Sequence, residues 1–237
     1  MEIFVCNLGR MDYAKTLEIQ LALHELRKNM LILDTLILVE HEPVITIGRS
    51  GKQENIIVPG DYLRQQGVSV YEVTRGGDVT YHGPGQIVGY PIFDLNNYGK
   101  DIKLFIRNIE NIFIELLKNE FCIEAHYDEK KYTGVWVGDE KITAIGIAVK
   151  QWVTMHGFAF NVNTNLEHFK WIVPCGISDK GVASLEKLLG KKQDFEKMNQ
   201  IVVQYLAKIF NVKPTWKKVQ DILGKVENKC TNRSRNG

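Results

Sequence analysis

One of the four cysteines stands in a setting suited to chemistry. Cys175 lies between Pro174 and Gly176. The proline biases Val173 to an extended conformation, and the glycine accepts backbone geometry closed to other residues. A Pro-Cys-Gly turn presents its thiol instead of sinking it into a helix. Cys6, Cys122 and Cys230 fall in a strand, a helix end and a polar tail, where free cysteine behaves as a small hydrophobe. A thiol of pKa about 8.5 is mostly protonated at neutral pH and needs a neighbouring cation to become a nucleophile. Lys141 is the candidate cation, although a lysine in its position is also an ordinary exposed residue of a hairpin.

A second concentration of chemistry is Arg75-Gly-Gly-Asp-Val-Thr-Tyr-His-Gly-Pro-Gly-Gln86, with four glycines and one proline in twelve residues. Such density gives tight turns and lets backbone N–H groups approach a ligand. Asp78 to His82 is β-prone, so Arg75 and His82 flank a short strand with Gln86 just beyond it. His82 is most simply a structural histidine bonded to backbone. Small residues at Gly146, Gly157 and Ala159 either leave room for a chain-like ligand or serve close strand packing.

Four stretches, in order, carry a resemblance: the one above, Lys141-Ile-Thr-Ala-Ile-Gly146, His156-Gly-Phe-Ala-Phe-Asn-Val162 and Pro174-Cys-Gly176. Together they resemble the lipoyl(octanoyl) transferases, acyltransferases of protein lipoylation, over about residues 36–185. None of the four departs from the family pattern, and Thr143 falls where the family itself varies. The resemblance implies a nucleophilic Cys175 paired with Lys141. It implies substrate contacts from Arg75, Gly76, Gly77, Asp78, Val79, Thr80, Tyr81 and His82, from Ala144, Ile145 and Gly146, and from Gly157, Phe158 and Ala159. For His82 an orienting role is preferred over general base.

The implied donor is octanoyl-acyl carrier protein. The implied acceptors are lipoyl domains of 2-oxoacid dehydrogenase E2 subunits and the glycine cleavage H protein. Thioester exchange onto a thiol is nearly balanced, and transfer to an amine is downhill, so neither ATP nor any other cofactor or metal is expected. Oxyanion donors would be backbone N–H groups near Gly76, Gly77 or Gly176. Two other readings remain open: an ATP-dependent lipoate or biotin ligase indifferent to Cys175, and an inactive module of the same fold that only binds lipoyl domains.

The rest of the chain must position these groups. At 237 residues it can bury a sizeable core, with 44% hydrophobic and 24% charged residues. A net charge of +2 gives no reason to invoke nucleic acid or membrane. Scattered cysteines without a Cys-x-x-Cys pair point to a reducing cytosol, and no signal peptide or apolar span is evident. Gly48-Arg-Ser-Gly-Lys52 lacks the spacing of a phosphate-binding loop.

Strands are expected over 2–6, 36–40, 44–47, 68–73, 78–82, 87–95 and 151–162. The strand at 44–47 is read as returning beside 36–40. Pro91 within 87–95 argues for an edge or a bulge. A hairpin is expected over 135–149. Asp12, Asp101 and Asp194 should cap three helices, the first running to about 28. The sum is α+β: a mixed sheet flanked by helices. The resemblance adds a smaller second sheet and the biotin/lipoate protein ligase-like fold, within one catalytic domain spanning 1–237 and a polar tail from about 227.

Overall fold

The computed structural model describes residues 1–128, 132–173 and 180–224. Pro174-Cys175-Gly176 and the tail beyond 224, with Cys230, lie outside the described residues. The chain begins with β1 (Glu2–Met11), α1 (Tyr13–Lys28), β2 (Thr35–His41) and β3 (Val44–Ile47). It continues through α2 (Gly60–Gln65), β4 (Ser69–Glu72), β5 (Val79–His82), β6 (Gln86–Ile92) and α3 (Ile102–Phe121). Next come β7 (His126–Tyr127), β8 (Gly134–Val137), β9 (Glu140–Lys150), β10 (Val153–Asn161) and β11 (Gly181–Val182). The last elements are α4 (Leu185–Leu189), α5 (Phe195–Phe210) and β12 (Lys213–Trp216).

A mixed sheet of order β12-β1-β2-β6-β10-β9-β8-β7, with β11 paired to β9, forms the body. β12, β1 and β2 run parallel, and the rest of that path is antiparallel. A second sheet, β4-β3-β5, stands beside it. This is the expected α+β architecture.

The apolar run of β2 is explained by burial on both faces. Leu36 and Leu38 pack into the core formed with α3 and α5. Ile37 and Val39 point into the opposite core, with Leu23 of α1. The three caps form as local chemistry dictates. Asp12 accepts from Lys15 N, Asp101 from Lys103 N and Leu104 N, and Asp194 from Lys197 N. Among the described residues no helix is long and apolar enough to cross a membrane.

One expectation is corrected and another narrowed. β3 does not return beside β2, because β1 and β6 already occupy both edges of β2. The chain instead leaves through Glu42 and Pro43 into the small sheet, where β3 pairs with β4 and β5.

β6 is central, so of the edge or bulge expected at Pro91 the edge is excluded and a local irregularity remains. Its other rungs supply the reason. On one side Pro91 sits opposite Leu36 of β2. On the other, the ladder to β10 ends at Gly89 opposite Phe158, before the missing N–H of Pro91 would be needed. There His156 of β10 takes a positive φ of 57°, and Thr154 Oγ1 donates to Pro91 O at 2.6 Å. The proline is accommodated by an irregularity in its neighbour.

Candidate active site

The first motif builds a loop held from within by its own arginine. Arg75 is buried. Its Nη2 donates to Thr46 O at 2.7 Å, to Thr46 Oγ1 at 2.9 Å and to Asp78 O at 2.7 Å. Nε donates to Thr46 Oγ1 at 3.1 Å, and Nη1 to Gly76 O at 3.0 Å. Asp78 caps the loop from the other end, accepting from Val79 N at 2.7 Å and from Asn55 Nδ2 at 2.7 and 2.9 Å.

The loop is stitched to both sheets. Gly76 N donates to Ile147 O of β9 at 2.9 Å. Gly48 N, Arg49 N and Ser50 N donate to Asp78 O, Arg75 O and Gly77 O at 3.1, 3.0 and 3.2 Å. Residues 48–50 are therefore a buttress of the first motif, a role sequence reasoning missed once the phosphate-loop spacing failed. Gly146 is where β9 meets the loop: a Cβ there would lie 2.7 Å from Gly76 O. A Cβ on Gly157 would collide with Gly89 O of β6. Both glycines thus serve close backbone packing, and both also line the cavity.

That cavity, of about 1160 Å³, lies among β5, β6, β9, β10 and α3. Its apolar walls are Val88, Ile145, Ile147, Phe158 and Ala159 with Ile102 and Ile106 of α3. Its polar lining includes Arg75, Asp78, Thr80, His82, Lys141 and His156. Every residue expected in the first three motifs lines it except Tyr81. The Tyr81 ring turns into the small-sheet core, where its hydroxyl pairs with His168 Nδ1 at 2.6 Å. Cys175 and Gly176 lie outside the described residues, but Val173 and Lys180, which flank 174–179, both line the cavity.

The histidines of the site are neutral, and their bonding shows how. Gln86 Nε2 donates to Tyr81 O at 3.2 Å and to Asn161 Oδ1 at 2.9 Å. Its Oε1 therefore faces His82 Nδ1, at 2.8 Å, and accepts from it. Burial, with His41 nearby, pushes the His82 pKa down to about 3. Burial likewise depresses His156 to about 4, helped by Arg75 and Arg49, and its Nε2 lies 3.1 Å from Thr74 Oγ1. His41, also lowered to about 4 by burial, donates through Nδ1 to Met11 O and receives the Tyr90 hydroxyl proton at Nε2, 2.7 Å away.

Lys141 approaches from β9. Its Nζ donates to Thr133 O at 3.2 Å and lies 4.7 Å from the centroid of the Trp136 ring. Its stem passes over Gly134, where a Cβ would come within 3.3 Å of Lys141 Cε. Trp136 and Lys180 also line the cavity, and neither was singled out from sequence. Of the other thiols, Cys6 is buried and its pKa is pushed up to about 12 by that burial, which leaves it inert. Among the described residues no cluster of His, Cys, Asp or Glu could hold a metal. The arrangement offers a cavity with apolar walls whose polar lining includes Lys141, neutral histidines and a glycine-rich loop. That set suits binding an acyl chain and transferring its carbonyl.

Comparison with known proteins points the same way. The family model of the lipoyl protein ligase A/B catalytic domain matches residues 12–207. An octanoyltransferase of Caldicellulosiruptor saccharolyticus is 62% identical over 213 residues, 90% of this chain and 91% of that protein. An octanoyltransferase of Desulforamulus reducens is 51% identical over 228 residues, 95% of this chain and 100% of that one. The fold is shared with lipoate-protein ligase A bound with ATP, at a TM-score of 0.73 and 15% identity, covering 97% and 95% of the two chains. It is shared also with a putative lipoate protein ligase from T. acidophilum with bound lipoic acid, at 0.71 and 14%, covering 97% and 96%.

Proposed function

Because the chain belongs to the lipoyl protein ligase A/B catalytic-domain family, we propose that it is an octanoyltransferase of protein lipoylation that carries its acyl group on Cys175. The observation that carries this reading is the convergence of Lys141 and both flanks of the Pro-Cys-Gly segment, Val173 and Lys180, on one cavity with apolar walls. The donor is an octanoyl-acyl carrier protein. The acceptor is a lysine of a lipoyl domain, as in 2-oxoacid dehydrogenases or the glycine cleavage H protein.

The reaction has two steps. Lys141 as ammonium favours the Cys175 thiolate, which attacks the donor thioester; the new C–S bond forms as the carrier's C–S bond breaks, and the departing carrier thiolate takes a proton from Lys141, leaving it a neutral amine. The acceptor amine then attacks the acyl-enzyme carbonyl, the C–N bond forms, and the bond to Cys175 breaks. The proton shed by the amine goes to Lys141, and Cys175 leaves as thiolate. Each tetrahedral oxyanion needs backbone donors. Gly76 N–H is already committed to Ile147 O, so Gly77, at φ +85° and lining the cavity, is the candidate among the described residues.

His82 supports this chemistry by orientation. Its neutral ring ties Thr46 and the Arg75 loop to Gln86 and Asn161, and Asn161 Nδ2 donates to Ala183 O at 3.0 Å. Ala183 N in turn donates to Lys141 O at 3.0 Å. One network thus runs from the loop to the strand that carries the lysine.

The test is incubation with octanoyl-acyl carrier protein in the absence of ATP, followed by mass spectrometry. An octanoyl adduct on Cys175, and not on Cys6, Cys122 or Cys230, is expected, and Cys175→Ser should abolish transfer. An adduct elsewhere, full activity in Cys175→Ala, or turnover only with ATP and free octanoate would overturn the reading.

A further inference from the structure

We propose that Lys180 is a positioning residue for the second step. Held with Lys141 against the same indole, it keeps the Lys141 ammonium easy to deprotonate, so that Lys141 can take the proton of the incoming amine. The inference rests on the acyl-enzyme reading and concerns the same cavity.

Trp136 is 2% exposed, and its Nε1–H donates to Tyr132 O at 3.3 Å, which fixes the ring. Lys141 Nζ lies 4.7 Å from the ring centroid and Lys180 Nζ 4.9 Å. Both distances are within the range where an aromatic ring attracts an ammonium. The two nitrogens can therefore be no further apart than those distances added end to end. The backbone keeps the two residues neighbours. Val182 pairs in register with Lys141, Ala183 N donates to Lys141 O at 3.0 Å, and Gly181 N donates to Asp139 O at 3.2 Å. The main chain of Lys180 is thereby tethered beside the strand that carries Lys141.

The described charges around Lys141 divide clearly. From α3, the buried Glu110 favours the ammonium, though it is shared with Arg107 at 3.1 Å and with Gly134 N at 3.1 Å. From the hairpin, Glu140 is engaged by Lys187 of α4, and Asp139 by Lys180 at 3.4 Å. From β8 and the residue before it, the Trp136 ring and Thr133 O favour the ammonium. Against these stands the ammonium of Lys180, 3.4 Å from Asp139. A like charge disfavours a neighbouring ammonium and lowers its pKa. Such a neighbour answers a chemical need. A lysine at its ordinary pKa of about 10.4 is protonated nearly all the time at neutral pH and cannot accept a proton.

The test is the pH profile of single-turnover octanoyl transfer from isolated acyl-enzyme to a lipoyl domain. In Lys180→Gln the acidic limb should move up by about half a pH unit or more, and in Lys180→Arg it should stay at the wild-type position. A merely structural role for Lys180 would lower the rate without moving the limb. Lys141→Arg, whose guanidinium stays protonated, is the control and should lose the limb. A limb lost in Lys141→Arg but unmoved in Lys180→Gln overturns the inference and leaves the acyl-enzyme reading standing. A limb that persists in Lys141→Arg overturns the base assignment itself.

Discussion

Gln86 Oε1 lies 2.8 Å from His82 Nδ1 and decides which nitrogen of that imidazole carries the proton. Both donor positions of the Gln86 amide are already committed, to Tyr81 O and Asn161 Oδ1. The oxygen can only accept, so His82 is the Nδ1–H tautomer and turns Nε2 toward Thr46 Oγ1, 3.5 Å away. Thr46 Oγ1 in turn accepts from Arg75 and keeps its own proton for His82.

Gln86→Leu should therefore cost more than its size suggests. It strands the His82 N–H, Tyr81 O and Asn161 Oδ1 in a buried site, a loss of about 1–3 kcal/mol. Gln86→Glu keeps the acceptor for His82 but sets a carboxylate oxygen against Tyr81 O and Asn161 Oδ1, so it should be destabilised as well. Urea denaturation of the three proteins measures this, and equal midpoints would show that the network is not structural.

The neutral histidines predict an acid-sensitive fold. In the unfolded chain each takes a proton as pH falls through 6.5, whereas folded His41 and His156 wait until about 4 and His82 until about 3. Stability is full above that upper value and falls as pH drops through the window, by up to about 1.4 kcal/mol per pH unit for each histidine. Unfolding free energies measured from neutral pH down to the carboxylate range should slope accordingly. A flat profile there would mean that the three rings are not held neutral.

Gly146→Ala tests the contact between β9 and the loop. The added Cβ would stand 2.7 Å from Gly76 O and 3.2 Å from Arg75 Cδ, so the loop must move. Displacements of about 1 Å at a reacting centre can cost as much as 100-fold in rate. Transfer should fall by about tenfold or more while the acyl chain still finds the apolar walls. Wild-type kinetics in Gly146→Ala would show that the loop position is not critical.

These contacts also show where sequence reasoning reaches its limit. The caps at Asp12, Asp101 and Asp194, and the β8–β9 hairpin, were legible because a carboxylate beside its own helix start and a tight turn are local. The fate of β3 was not, since it depends on β1 and β6 having filled the edges of β2. Nor was the central place of Pro91, which needs a distortion at His156, more than sixty residues on. In the site, the motif residues were legible as a group. Thr46, residues 48–50, Trp136 and Lys180 were not, because their roles lie in what the fold sets beside them.

Lys170, Lys180 and Lys187 line the cavity, each with an acidic neighbour in Glu167, Asp139 and Glu140. If an acidic acyl carrier protein is the donor, its carboxylates can compete for these lysines, so the lysines should speed the encounter, and added salt should screen it. The Michaelis constant for the carrier should rise between low and high salt. Lys170→Glu should raise it at low salt. A constant indifferent to salt would rule out charge steering.

The proposed function gives Lys141 two roles that one pair of substitutions can separate. Under it, Lys141 as a cation would lower the Cys175 pKa, and as a base it would take the acceptor's proton. Arginine keeps the charge but cannot give up its proton at accessible pH, whereas alanine loses both functions. If charge drives acylation, Lys141→Arg should acylate Cys175 faster than Lys141→Ala in a single turnover. If base chemistry drives the second step, the two variants should be similarly poor at passing octanoyl to a lipoyl domain. The guanidinium is larger than the ammonium and must still fit above Gly134, beside Thr133 O and the Trp136 ring, so geometry needs its own control. Alkylation of Cys175 across pH supplies it: the apparent thiol pKa should rise in the alanine variant and stay low in the arginine one. An unchanged thiol pKa in Lys141→Ala would remove this lysine from the nucleophile's surroundings and make His82 the next residue to substitute.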